Sequence, residues 1–162
     1  MQIYAYLSYK QAVRQLFLSV RGSGTVLGAA SPAGKAAVMS MHRILIVSEE
    51  EFLCDVIRLS LTGMRADVRC ASGVAAMERL SRRMLFDLVI VVGTSLFFSG
   101  RDVVRILRPP GLRRPLVYVV AWQQAEQPVL SLLECGVDQY LTFPVNLQRL
   151  RAKVDNELNR QL

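Results

Sequence analysis

The chain of 162 residues has one histidine, one tryptophan and three cysteines, and each scarcity narrows what it can do. His42 cannot build a Ser/His/Asp constellation with any second imidazole in reserve, and it stands just before an apolar run, where an exposed structural role is expected. Cys54, Cys70 and Cys135 are dispersed with no Cys-x-x-Cys, which excludes a metal or disulfide framework and leaves three buried free thiols in a reducing compartment as the expectation. No Gly-x-Gly-x-x-Gly or P-loop follows a strand-like segment, so a nucleotide-binding enzyme is not indicated. No apolar run approaches the roughly 18 residues of a membrane span. Acidic residues are missing altogether from 1–41, which carry Lys10, Arg14, Arg21 and Lys35. That segment therefore holds +4 of the net charge of +7, and the remaining 121 residues are only mildly basic. The pI of 9.8 is in good part a property of the extension and does not indicate nucleic-acid binding.

What the chain does have is apolar material: 52% of the residues and a mean hydropathy of +0.29. Much of it sits in continuous β-branched runs at 43–47, 87–92 and 115–121, the pattern of strands buried on both faces. Shorter strands fit 66–70 and 138–142. Between them, helical spacing predicts helices near 50–62 with Gly63 closing it, from a Ser72 cap to about Arg83, after Ser99-Gly100, near 126–135, and after Asn146. Pro109, Pro110 and Gly111 end the third of these. Five β/α units in a row predict a parallel sheet with right-handed crossovers and helices on both faces.

Residues 1–41 are expected to be a separate basic extension or linker, disordered or partly helical. Apolar residues at Tyr6, Tyr9, Val13, Leu16, Phe17 and Val20 have helical spacing, followed by a Gly/Ala/Ser-rich stretch with Pro32. An early translation start ahead of Met39 or Met41, a basic amphipathic helix that touches a membrane surface or partner, and a targeting segment all fit this composition.

Four segments together carry a family resemblance: Ile44–Val47, Asp87–Val92, Gly100 eight residues further on, and Gly136 with Tyr140, Leu141, Thr142 and Pro144. In order and spacing, residues 42–162 resemble the response-regulator receiver domain of two-component phosphorelay signalling. The resemblance implies a flavodoxin-like (βα)5 fold, a doubly wound five-stranded parallel sheet in the order 2-1-3-4-5. It also points to a degenerate site. Where the family has two acidic Mg²⁺ ligands, this chain has Ser48 and Glu49. The acceptor aspartate is replaced by Val92, the phosphoryl-sensing Ser/Thr by Val120, and the lysine before the last proline by Phe143. Glu49 is at best a weak Mg²⁺ candidate, since Glu49–Glu51 also suit a helix start, where unpaired amides favour acids. Thr94, Ser95 and Ser99 are read as loop and cap residues. Tyr140 matches the family's switch aromatic, whose switching is in doubt once Val120 carries no hydroxyl.

No metal, cofactor or catalytic residue is therefore expected, and the chain is not read as an enzyme. The expected role is a stand-alone, cytoplasmic pseudo-receiver that acts by phosphorylation-independent protein–protein contact, with a homodimer as one form. The family's output face would bring Arg149, Arg151 and Lys153 of the last helix into contact with that partner. A phosphorelay receiver with a non-standard acceptor is the alternative, as is an anionic-surface or nucleic-acid binder using Arg101, Arg105, Arg108, Arg113 and Arg114. Nucleic acid is disfavoured because no aromatics interleave the arginines, no helix-turn-helix pattern occurs, and no DNA-binding domain is expected beyond Leu162.

Overall fold

A computed structural model describes residues 41–93, 98–109, 115–122 and 125–160, together with Leu7 and Gln11, which are helical. The rest of the expected amphipathic segment 6–20, the linker to residue 40, and Thr94, Ser95, Arg113 and Arg114 lie outside the described residues. The chain divides into two units, Met1–Ser40 and Met41–Leu162.

The second unit alternates strictly: β1 (His42–Val47), α1 (Glu51–Ser60), β2 (Ala66–Ala71), α2 (Val74–Ser81), β3 (Leu88–Gly93), α3 (Gly100–Leu107), β4 (Leu116–Ala121), α4 (Glu126–Glu134), β5 (Gln139–Thr142) and α5 (Leu147–Asn159). All five strands are parallel in one sheet of order β2-β1-β3-β4-β5. The expected fold is therefore the one the chain adopts. The physical reason lies in the central strands. Every residue of β3 is buried, as are Ile44–Val47 and Val117–Ala121, so both faces of the sheet's middle must be covered by helices.

Side chains alternate across that sheet. Leu45, Val47, Val89, Val91, Val117 and Val119 form one core with Met77 of α2, Val103 and Leu107 of α3 and Leu132 of α4. Their neighbours in sequence take the opposite face by the period of two, the side on which α1 packs against β1, β3 and α5. Leu53, Val56, Ile57, Leu150, Val154 and Leu158 are buried there.

Helix ends depart from the sequence expectations in instructive ways. Ser99 and Asn146 do cap α3 and α5, their side chains accepting from the amides of Asp102 and Arg149. Ser72 does not cap α2; the N-cap is Gly73 at φ +140°, a left-handed conformation that glycine tolerates. Nor does Gly63 end α1 directly: the C-cap is Leu61, and Gly63 at φ +83° turns the chain two residues later. Among the described residues, no helix is long and apolar enough to cross a membrane.

Candidate functional site at the carboxyl ends of the strands

In open parallel sheets, ligands bind beyond the carboxyl ends of the strands, where loops diverge to opposite sides. Val47, Val92, Ala121 and Thr142 or their neighbours mark that edge here. Val92 and Val120 are register partners and both are 0% exposed. The next register pair, Gly93 and Ala121, is also buried.

Phe143 follows β5, almost fully buried, with its ring centroid 5.7 Å from that of Trp122 at an interplanar angle of 51°. A tilted aromatic pair of this kind is favourable in itself. The Phe143–Pro144 peptide bond is cis. Tyr140 Oη donates a 2.6 Å hydrogen bond to the Trp122 carbonyl, and the ring packs against the α2/α3/α4 core. Trp122 thus touches two of the expected site positions, yet sequence reasoning did not single it out. Its signal was available: the chain's single tryptophan directly after a continuous apolar run.

Ser48 is 2% exposed, its amide bonded to the Ala71 carbonyl and its hydroxyl accepting from the Glu50 amide. It therefore acts as a short turn into α1. Glu49 is exposed, with its Cγ about 4.0 Å from where a Gly73 Cβ would stand. The helix itself begins at Glu51, with Glu50 at the N-cap, so the run of three glutamates straddles the start rather than filling the first turn.

The fold family binds Mg²⁺ at this edge, and the residues present do not fit the ion. Mg²⁺ demands several hard oxygens in octahedral array. The expected positions provide one carboxylate, Glu49, beside a serine whose hydroxyl already accepts an amide and two buried valines. Among the described residues, no group of three His, Cys, Asp or Glu side chains is placed to hold a metal.

The basic residues separate into different roles. Arg108 is not part of a free cationic patch. Its side chain is 14% exposed, donates to the carbonyls of Pro115 and Gly136, and pairs with Asp138. Arg105 pairs with Asp102 at 3.4 Å. Arg151 donates to the carbonyls of Ser60 and Thr62 at 3.2 and 2.6 Å, closing the carboxyl end of α1 from α5. Arg149 and Lys153 share that helix, exposed and half-buried respectively.

Two further expectations need correction. His42 is half-buried, with Nδ1 3.8 Å from Asp87, because Asp87 also accepts the Arg43 amide at 2.8 Å and draws the start of β1 inward. Of the three thiols, only Cys54 is buried; Cys70 is exposed and Cys135 intermediate, because β2 is an edge strand and Cys135 lies at the end of α4. Burial, followed by the neighbouring Cys70, pushes the Cys54 thiol up to about 12.

The geometry defines a class first: a five-stranded doubly wound α/β domain with its ligand edge at the carboxyl ends, the receiver fold. Solved structures agree. A beryllofluoride-activated DrrB receiver domain superposes with a TM-score of 0.61 at 22% identity, covering 74% of this chain and 98% of that one. A response regulator from Thermotoga maritima gives 0.64 at 18% identity, covering 74% and 98%. Among curated proteins, the chain is 32% identical over 112 residues to the response regulator protein PmrA of Pseudomonas aeruginosa, covering 69% of this chain and 50% of that protein. It is 29% identical over 120 residues to the response regulator protein PilR of the same species, covering 74% and 27%. The chain thus spans half or less of the length of these two relatives. No family profile matches it. The second unit thus has the receiver fold and is similar in sequence to response regulators.

Proposed function

We propose that residues 42–162 act in two-component signalling as a pseudo-receiver, a scaffold that conveys its signal by protein–protein contact and does not require aspartyl phosphorylation. The observation that carries this reading is the register pair Val92 and Val120, both fully buried, together with the burial of Phe143 in a tilted pair with Trp122 after β5. On this reading, a carboxylate, a hydroxyl and an ammonium acting on a phosphoryl group are replaced by three buried apolar side chains. Had one charge alone been lost, its partners would remain buried and unpaired at a cost of several kcal/mol. Replacing them together leaves a stable core. Tyr140, tied to the Trp122 carbonyl, serves on this reading as a fixed side chain rather than a switch.

The face built by α4, β5 and α5 is the contact surface this reading favours. Leu130 and Leu133 are 40% and 42% exposed on α4, and Arg149 and Lys153 lie on α5. A signalling protein or a second copy of the chain would be the partner, in the cytoplasm, and residues 1–41 would form a separate extension.

Amide NMR with acetyl phosphate or beryllofluoride and Mg²⁺ tests the first half of the proposal. The expected spectrum is unchanged at Val92, Val120 and Tyr140. Dose-dependent shifts at those three amides would overturn phosphorylation independence. Arg149→Glu tests the surface, since Arg149, unlike Arg151, does not hold another helix. A partner that binds wild type and this variant equally does not use that face.

A further inference from the structure

A groove of about 770 Å³ opens at the opposite edge of the domain, where α2 turns into β3 and where α3 ends. It lies at the amino ends of the strands, away from Val92 and from the α4–β5–α5 face. Three arginines border it: Arg43 at the start of β1, and Arg82 and Arg83 after α2. Among the described residues the single acidic side chain in the lining is Glu78, bonded to Arg82 at 2.6 Å. That pair is solvent-exposed, with Arg82 77% accessible, so it is weak and easily exchanged for another carboxylate. Arg43 and Arg83 are exposed, and among the described residues neither side chain has a hydrogen-bonding or ionic partner.

The rest of the lining is largely apolar. Met84, Leu85, Ile106 and Pro109 belong to it, and Leu85 is 49% exposed, one of the larger hydrophobic exposures in the domain. Apolar side chains interleaved with arginines are the composition of protein contact sites, where a few apolar anchors supply affinity and arginine forks hold carboxylates. Among the described residues no aromatic ring lines the groove, so they offer no platform on which a nucleobase would stack.

We infer that this groove is a second docking surface, for an acidic amphipathic segment of a partner protein that places Leu- or Ile-like side chains on Leu85 and Ile106 and carboxylates on Arg43 and Arg83. Residues 1–41 contain no acidic side chain, so that segment does not supply the carboxylates. The inference stands apart from phosphorylation independence and from the α4–β5–α5 face.

Selection of displayed peptides of about twelve residues on the full chain, followed by fluorescence anisotropy of the enriched peptides, tests it. Enrichment should favour Asp or Glu interspersed with Leu, Ile or Phe. Binding should weaken about tenfold or more in R43E/R83E and also in Leu85→Ala, and should be unchanged in Arg149→Glu. Amide shifts of the wild-type protein should cluster at 82–85 and 106–109, which guards against misfolding of a variant. The inference is overturned if no peptide is enriched, or if enriched peptides lack carboxylates or bind R43E/R83E as they bind wild type. Retention of duplex oligonucleotide or phosphatidylserine vesicles by the same arginines, without peptide binding, overturns it equally.

Discussion

Tyr118 shows how one atom can work against an otherwise well-packed sheet. Its side chain is 1% exposed in β4, and among the described residues its hydroxyl has no hydrogen-bond partner. Burial, with Glu157 and Asp138 adding to it, pushes the phenol up to about 12. Tyr118→Phe should therefore stabilise the domain by about 1 kcal/mol in urea denaturation at neutral pH, because an unsatisfied buried group is removed and the ring retained. The pH dependence has a definite sign. Tyr118 and Cys54 both stay protonated in the folded state beyond their ordinary 10.0 and 9.0, so above those values the unfolded chain releases protons first. Their contribution is fully present below about pH 9 and is lost as pH rises toward about 12. Denaturation midpoints measured from pH 7 to 11 should fall at the alkaline end, less steeply in Tyr118→Phe. Val92 is the opposite case, an apolar residue content in its place. Val92→Asp would bury a carboxylate among Val120 and its neighbours with no cation described beside it, and should cost about 3–5 kcal/mol at pH 7. Part of that loss should return at low pH, as the carboxyl takes up a proton; an unchanged urea midpoint would show the edge to be more polar than its packing.

At the scale of elements, two aspartates perform the same task at the amino edge of the sheet. Asp87, just before β3, accepts the Arg43 amide of β1, and Asp138, just before β5, accepts the Val117 amide of β4. Each thereby pairs an amide at the start of a neighbouring strand. Asp138 is joined by Arg108, which ties the end of α3 to the Pro115 and Gly136 carbonyls. Arg108→Ala should cost about 2–4 kcal/mol, since it leaves a carboxylate and two carbonyls short of a donor. Arg108→Lys should recover little of this, because a single ammonium cannot match a planar fork; near-complete recovery in urea titrations would count against the network. None of this was legible beforehand. The sequence shows Arg108 among five nearby arginines, and only the fold reveals that it faces inward while Arg83 does not. Arg151 differs from its neighbour Arg149 for a similar reason, because the α1–α5 packing brings it to the carbonyls of Ser60 and Thr62.

At the scale of the whole molecule, burial is graded from the middle of the sheet outward. β1, β3 and β4 are enclosed on both faces and on both edges, whereas β2 and β5 each leave one edge unpaired and include exposed positions. Amides of β3 should exchange with solvent only by global unfolding, and those of β2 and β5 by smaller openings, as native-state hydrogen exchange would register. The fold was readable from the chain because it rests on local pattern: continuous β-branched runs, helical spacing between them, and caps at Ser99 and Asn146. Those signals act over a few residues, and the parallel topology follows once five such units alternate. The identities of the strand-end residues Ser48, Val92, Val120 and Phe143 were equally readable, because their offsets from the strand-like runs are fixed in the sequence. What only the tertiary structure decided was the company each side chain keeps. Trp122 against Phe143 and Tyr140, Arg108 against Asp138, and the groove shared by Arg43, Arg83 and Ile106 all join residues far apart in sequence. Their meeting depends on strand order and register, which no local signal encodes.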